Sequence, residues 1–191
     1  MNRTEQILNA AEQCMRLKGF HQTSIQNIAR EANVSVGLIY KYFTNKESII
    51  EALVLIITQR LKDRLNDDLE KIAKSGGQAR LPLFSAGLVP REVENDIVLL
   101  MEISSESMRN PRIMQIMANA WQNLKDNFIA KEQALHPEKD SNVIHTRLYV
   151  LSLIIDGIII RRSMKQRDIA PSFVPFFDGI INDVNNTSVK Q

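Results

Sequence analysis

Four helix starts are marked within the first 47 residues, and this constrains the fold of the chain more than any other feature. Asn2 with Glu5, and Thr23 with Gln26, have the spacing of capping boxes; Ser35 is a good N-cap; Thr44 with Glu47 makes a further box pair. Between these signals the apolar residues keep helical period. Ile7, Leu8, Ala11, Cys14 and Met15 form one stripe, and Ile25, Ile28, Ala29 and Ala32 form the next. Gly19 suits the left-handed position that closes a helix, with Phe20 as the apolar residue that folds back after it. Asn33-Val34 interrupts the second helix, because Asn accepts the left-handed geometry of a tight turn. Three short helices, two of them joined by a turn of about three residues, make a helix-turn-helix unit.

The remainder also reads as helix. A long helix is expected from about Lys46 to Lys74. Gly76-Gly77, Pro82, Gly87 and Pro90 then break up residues 75–90, leaving room for a short helix around 79–86. Helices follow over about 91–109, 111–134, 143–164 and 172–184, the second of these opened by the cap and N1 proline of Asn110-Pro111. No strand is required. The expected class is all-α, with a helix-turn-helix domain over residues 1–46 and a larger helical body over 47–191.

Charge sharpens that division. The formal net charge is only +2, which argues against a protein that coats polyanions in bulk. Residues 1–46 nevertheless hold six basic and three acidic side chains, whereas the other 145 residues hold 18 basic and 19 acidic ones. All of the positive excess therefore lies in the head. Cys14 is the single cysteine, so no intramolecular disulfide forms. The apolar stretch Leu148–Ile160 has 13 residues, short for a membrane span, and the polar N-terminus does not resemble a signal peptide. A soluble cytoplasmic protein is expected. His21, His136 and His145 lack metal-ligand spacing and no phosphate loop follows Gly76-Gly77, so neither metal, cofactor nor catalysis is expected.

The run TSIQNIAREANVSVGLIYKYFTNKESII resembles the N-terminal DNA-binding signature of TetR/AcrR-family transcriptional regulators. Thr23, Ile28-Ala29, Val34-Ser35, Gly37, Ile39-Tyr40-Lys41-Tyr42-Phe43 and Lys46 carry the likeness; Asn33 stands where that family most often has Gly. The resemblance implies binding to double-stranded operator DNA. Val36, Gly37, Leu38 and Lys41 are the candidates for base edges, through thymine methyls, close backbone approach and guanine acceptors respectively. Thr23, Ser24, Ser35, Tyr40, Tyr42 and Lys46 are the candidates for phosphates, although Thr23 and Ser35 also serve as plain helix caps.

In the body, a helix apolar on every side needs cover on every side. The helices over about 143–164 and 172–184 fit a homodimer interface, the arrangement the resemblance also implies, with Gly157 allowing close approach and Asp156 either structural or ligand-facing. The resemblance further implies a small-molecule effector within the body. An apolar or amphipathic ligand would meet some of Phe84, Met101, Met108, Met117, Trp121, Phe128 and Tyr149, residues that fit ordinary core equally well. Glu102 and Glu106 lie one turn apart and would favour a cationic ligand if inward, or form an exposed stripe if not. The expected function is a dimeric, ligand-released repressor on a palindromic operator. The rival readings are a sequence-tolerant DNA-organising protein and an all-α carrier or enzyme that uses the body alone.

Overall fold

A computed structural model of the chain describes residues 2–74 and 90–163, with 175–176 and 179–180. Seven helices run through the described residues: α1 (Arg3–Lys18), α2 (Ile25–Glu31), α3 (Val36–Tyr42), α4 (Lys46–Lys74), α5 (Arg91–Ser107), α6 (Pro111–Leu135) and α7 (Ser141–Ser163). No strand occurs among them, so the class is all-α as expected. The short helix expected at 79–86 lies outside the described residues, as does most of the one expected at 172–184.

Two of the four expected caps form as read, and two move by one residue. Asn2 and Glu5 make both bonds of a capping box, and Ser35 accepts from the Leu38 amide at 3.1 Å. At α2 the cap is Ser24 with Asn27 in place of Thr23 with Gln26. The hydroxyl of Thr23 donates instead to the Gly19 carbonyl at 2.9 Å, which draws this side chain inward. At α4 the cap is Asn45, whose side chain accepts from the Ser48 amide at 2.8 Å, in place of Thr44 with Glu47. Asn outranks Thr as an N-cap, so the adjacent residue takes the position.

The described residues group into two compact units. The first comprises Met1–Gln59 with Val98–Trp121, and the second comprises Arg60–Ile97 with Gln122–Gln191. Helices α4, α5 and α6 each contribute to both.

In the first unit α1 packs on α2 and α2 on α3. Its core holds Ile7, Met15, Ile28, Ile39, Ile49 and Ile50, all fully buried, each worth about 1.5–3 kcal/mol in apolar transfer. Cys14 lies on the same buried face, and burial, followed by the charge of Glu31, raises its thiol pKa. Gln6 donates to the Ala32 carbonyl at 2.6 Å, satisfying an orphan group at the end of α2. Two backbone positions need positive φ. Gly19 at φ 79° and ψ 165° occupies a region essentially reserved for glycine, and Asn33 at φ 50° forms the turn before α3.

In the second unit α4 and α6 run alongside each other in the same direction. Lys62 bonds Asn123, Asn127 bonds Asn66 and Lys131 bonds Glu70, so each partner lies 61 residues further along the chain. Arg60 grips Asp96 of α5 with a two-pronged contact at 2.7 and 3.1 Å. Buried Glu132 holds Arg147 of α7 at 3.3 Å, with Lys139 at 3.9 Å. One face of α7 is core: Ile144 and Leu148 join Leu69 and Phe128, while Leu151 joins Val93. Tyr149, Leu153, Asp156 and Ile160 recur at helical spacing on the opposite, exposed face. Over Ser141–Arg161 the helix has mean hydropathy 1.8, long and apolar enough by length and composition to cross a bilayer. That revises the expectation drawn from the 13-residue stretch alone, and the packed face of α7 supplies another reason for its apolarity.

Candidate nucleic-acid interface

Helix α3 buries one side and leaves an edge of distinctive chemistry open. Ile39 is fully buried and anchors the helix. Ser35, Gly37, Tyr40, Lys41 and Tyr42 are exposed, Tyr40 and Tyr42 at 53% and 47%, and Val36 and Leu38 are half-buried beside them. Two open tyrosines around a lysine give hydroxyl, aromatic and cationic groups to one surface. This combination fits both the phosphates and the base edges of a duplex.

The phosphate candidates outside α3 have other engagements. Thr23 is 1% exposed, with its hydroxyl committed to Gly19, and Ser24 is half-buried as the α2 cap. The ammonium of Lys46 donates to the Phe20 carbonyl at 2.8 Å and lies 4.3 Å from the centre of the Phe20 ring. Desolvation lowers its pKa, opposed by the charges of Glu47 and Glu106.

Within the same unit, the end of α5 reaches the α1–α2 corner. His21 Nε2 lies 2.9 Å from Oε2 of Glu106, and Glu102 Oε2 lies 3.9 Å from where a Cβ on Gly19 would stand. Both glutamates are half-buried. Sequence reasoning missed His21. Its partner is 85 residues away and carries no local signal.

The expected effector residues divide between the two units. Met101, Glu102, Met108, Met117 and Trp121 belong to the first unit, and Phe128 and Tyr149 to the second. Phe128 is core, packed with Leu69, Ile144 and Leu148. Met108 at 84%, Tyr149 at 58% and Trp121 at 41% are exposed, Met101 and Met117 are half-buried, and Phe84 lies outside the described residues.

A capped three-helix unit with an open Tyr-Lys-Tyr edge on its third helix has the architecture of a helix-turn-helix domain. Residues 7–53 match the family described as bacterial regulatory proteins, tetR family. The HTH-type transcriptional regulator BetI of Escherichia coli (strain SMS-3-5 / SECEC) is 24% identical over 164 residues, covering 85% of this chain and 83% of its own. Among solved structures, Salmonella enterica GusR superposes with a TM-score of 0.68 at 21% identity, covering 95% of this chain and 94% of its own. The multidrug binding protein EbrR complexed with malachite green gives a TM-score of 0.68 at 17% identity, covering 96% and 98%. The head of the chain thus matches the tetR family of bacterial regulatory proteins, and a weaker likeness to a transcriptional regulator extends over most of its length.

Proposed function

We propose that this protein is a cytoplasmic repressor that binds a palindromic operator as a homodimer and leaves it on binding a small apolar or amphipathic effector. The exposed edge of α3 carries this reading: Tyr40, Lys41 and Tyr42 stand free on a helix that Ile39 fixes from behind. In the proposal, Val36, Gly37, Leu38 and Lys41 address bases, while Ser24, Ser35, Tyr40 and Tyr42 address phosphates. Thr23 and Lys46 support the same surface by holding the corner behind it. Residues 1–46 serve as the reading head, and 47–191 as the dimerising and sensing body.

The exposed apolar face of α7 supports the dimer. Tyr149, Leu153 and Ile160 lie open in the single chain, and a second copy of the same face covers them in an isologous contact. Exposed Phe176 and Ile180 add apolar surface from the segment expected to share that contact. Effector response is supported by EbrR, a protein of the same fold holding malachite green. Coupling of about 1–3 kcal/mol between effector and DNA would lower operator affinity roughly 5- to 150-fold.

Selection of DNA from a random pool tests the reading. Recovery of a two-fold symmetric sequence, lost on Lys41→Ala with Tyr42→Ala, is expected. Recovery of unrelated sequences with similar affinity points to a DNA-organising protein, and recovery of none points to a carrier or enzyme.

A further inference from the structure

The α1–α2 corner is held from two directions. From α4, Lys46 takes the carbonyl of Phe20 at 2.8 Å. From α5, Glu106 meets the imidazole of the next residue, His21, at 2.9 Å. Thr23, two residues on, closes the corner by donating to Gly19 at 2.9 Å and stands directly before the Ser24 cap of α2. His21 thus lies three residues before the α2 cap, and α2 packs directly on α3.

The carboxylates facing this corner are poorly satisfied. The Oε2 atoms of both Glu102 and Glu106 are buried, and neither accepts a hydrogen bond from the described residues. A buried acceptor without a donor is a costly state, and the cost is greater for an ionised one. The contact of Glu106 with His21 is thus a close approach of charge without hydrogen-bond geometry. It becomes an ion pair when the imidazole takes a proton. The other groups at the corner are Lys46 from α4, Glu102 from α5 and the Phe20 ring, which meets the His21 ring edge-on at 5.5 Å. Of these side-chain types, histidine is the one that ordinarily changes charge between about pH 5 and 8.

We infer that His21 is a positioning residue for operator binding, through which Glu106 on α5 fixes the head in its DNA-reading placement when the imidazole is protonated. The inference rests on the proposed DNA-binding function and adds a residue and a condition to it. The sign follows from the pair. It is present while His21 is charged, and it is lost as pH rises and the imidazole becomes neutral. Operator affinity is accordingly higher at pH 6 than at pH 8, by roughly fivefold for a pair of this exposure.

The test uses the full chain and the DNA it selects, with affinities measured at pH 6 and pH 8 and constant salt. Wild type should weaken roughly fivefold across that range. His21→Gln and Glu106→Gln should each bind at the wild-type pH 8 level at both pH values, and the double variant should lose nothing further. His21→Lys, which keeps a cation opposite Glu106, should hold high affinity at both. Wild-type pH dependence persisting in Glu106→Gln, or additive losses in the double variant, would overturn the positioning role and place the imidazolium directly on DNA. Failure of the wild-type chain to select any DNA would overturn the functional reading, whereas selection with no pH response would overturn this inference alone.

Discussion

Lys46 Nζ lies 2.8 Å from the carbonyl oxygen of Phe20 and 4.3 Å from the centre of the same residue's ring. The first turn of α4 therefore clamps both the backbone and the side chain of the residue that follows the α1 C-cap. Lys46→Met keeps an apolar stem over the ring and removes the donor. The variant should lose about 1–2 kcal/mol of stability and weaken binding to all DNA sequences by a similar factor. Lys41→Ala, on the open edge of α3, should leave stability within about 0.5 kcal/mol and relax base preference at one position by about 1–3 kcal/mol. Thermal unfolding and binding to point variants of the selected operator separate the two.

Asn33 holds φ at 50° in the turn before α3. Asn33→Ala places an ordinary Cβ in that geometry and should cost about 1–2 kcal/mol, whereas Asn33→Gly should be neutral within a few tenths or slightly stabilising. Chemical denaturation of the two variants checks the order.

Leu153 and Ile155 are two residues apart on α7 and have opposite surroundings. Leu153 is 55% exposed, whereas Ile155 packs on the Val93–Leu151 core. Leu153→Asp should give a folded monomer in sedimentation, with helix content retained. Ile155→Asp should lower the unfolding temperature, because it sets an unpaired charge against apolar side chains. A normal dimer for Leu153→Asp would move the interface away from this face.

Asp156 shares the open face of α7, and desolvation raises its carboxyl pKa. A raised acid pKa means that the folded chain binds more protons than the unfolded one just above the ordinary carboxylate range, so stability falls as pH climbs through that window. Asp156→Asn should therefore stabilise the protein at pH 7, and the gain should vanish near pH 3, where the wild-type carboxyl is already neutral. Thermal unfolding at the two pH values tests the sign. A gain that is independent of pH would assign the effect to packing.

The helical scaffold was legible wherever its cause is local. Asn110-Pro111 announced the start of α6, Asn33 the turn before α3, and the stripe from Ile7 to Met15 the buried face of α1. Capping was legible only to within a residue at α2 and α4. There, neighbouring side chains compete for one position, and at α2 the bond of Thr23 to Gly19, four residues back, leaves the cap to Ser24. The exposed edge of α3 followed from the motif. The corner contacts did not, because His21 meets Glu106 and Lys46 meets Phe20 through tertiary packing that no spacing rule encodes. The Met and aromatic residues of the middle helices illustrate the same limit. Helical period marks them as apolar positions, but it does not tell the buried Phe128 from the open Tyr149.

The matched pairs of α4 and α6 in the second unit govern how those helices can slide. Lys62, Asn66 and Glu70 are spaced by four residues, and so are Asn123, Asn127 and Lys131. A displacement of half a turn leaves every polar group facing a gap. A displacement of one full turn, about 5–6 Å, brings Lys62 opposite Asn127 and Asn66 opposite Lys131, with Glu70 and Asn123 left over. Sliding between these helices is consequently a ratchet with discrete stops, and a signal crossing this face would arrive as a click and not as a graded bend.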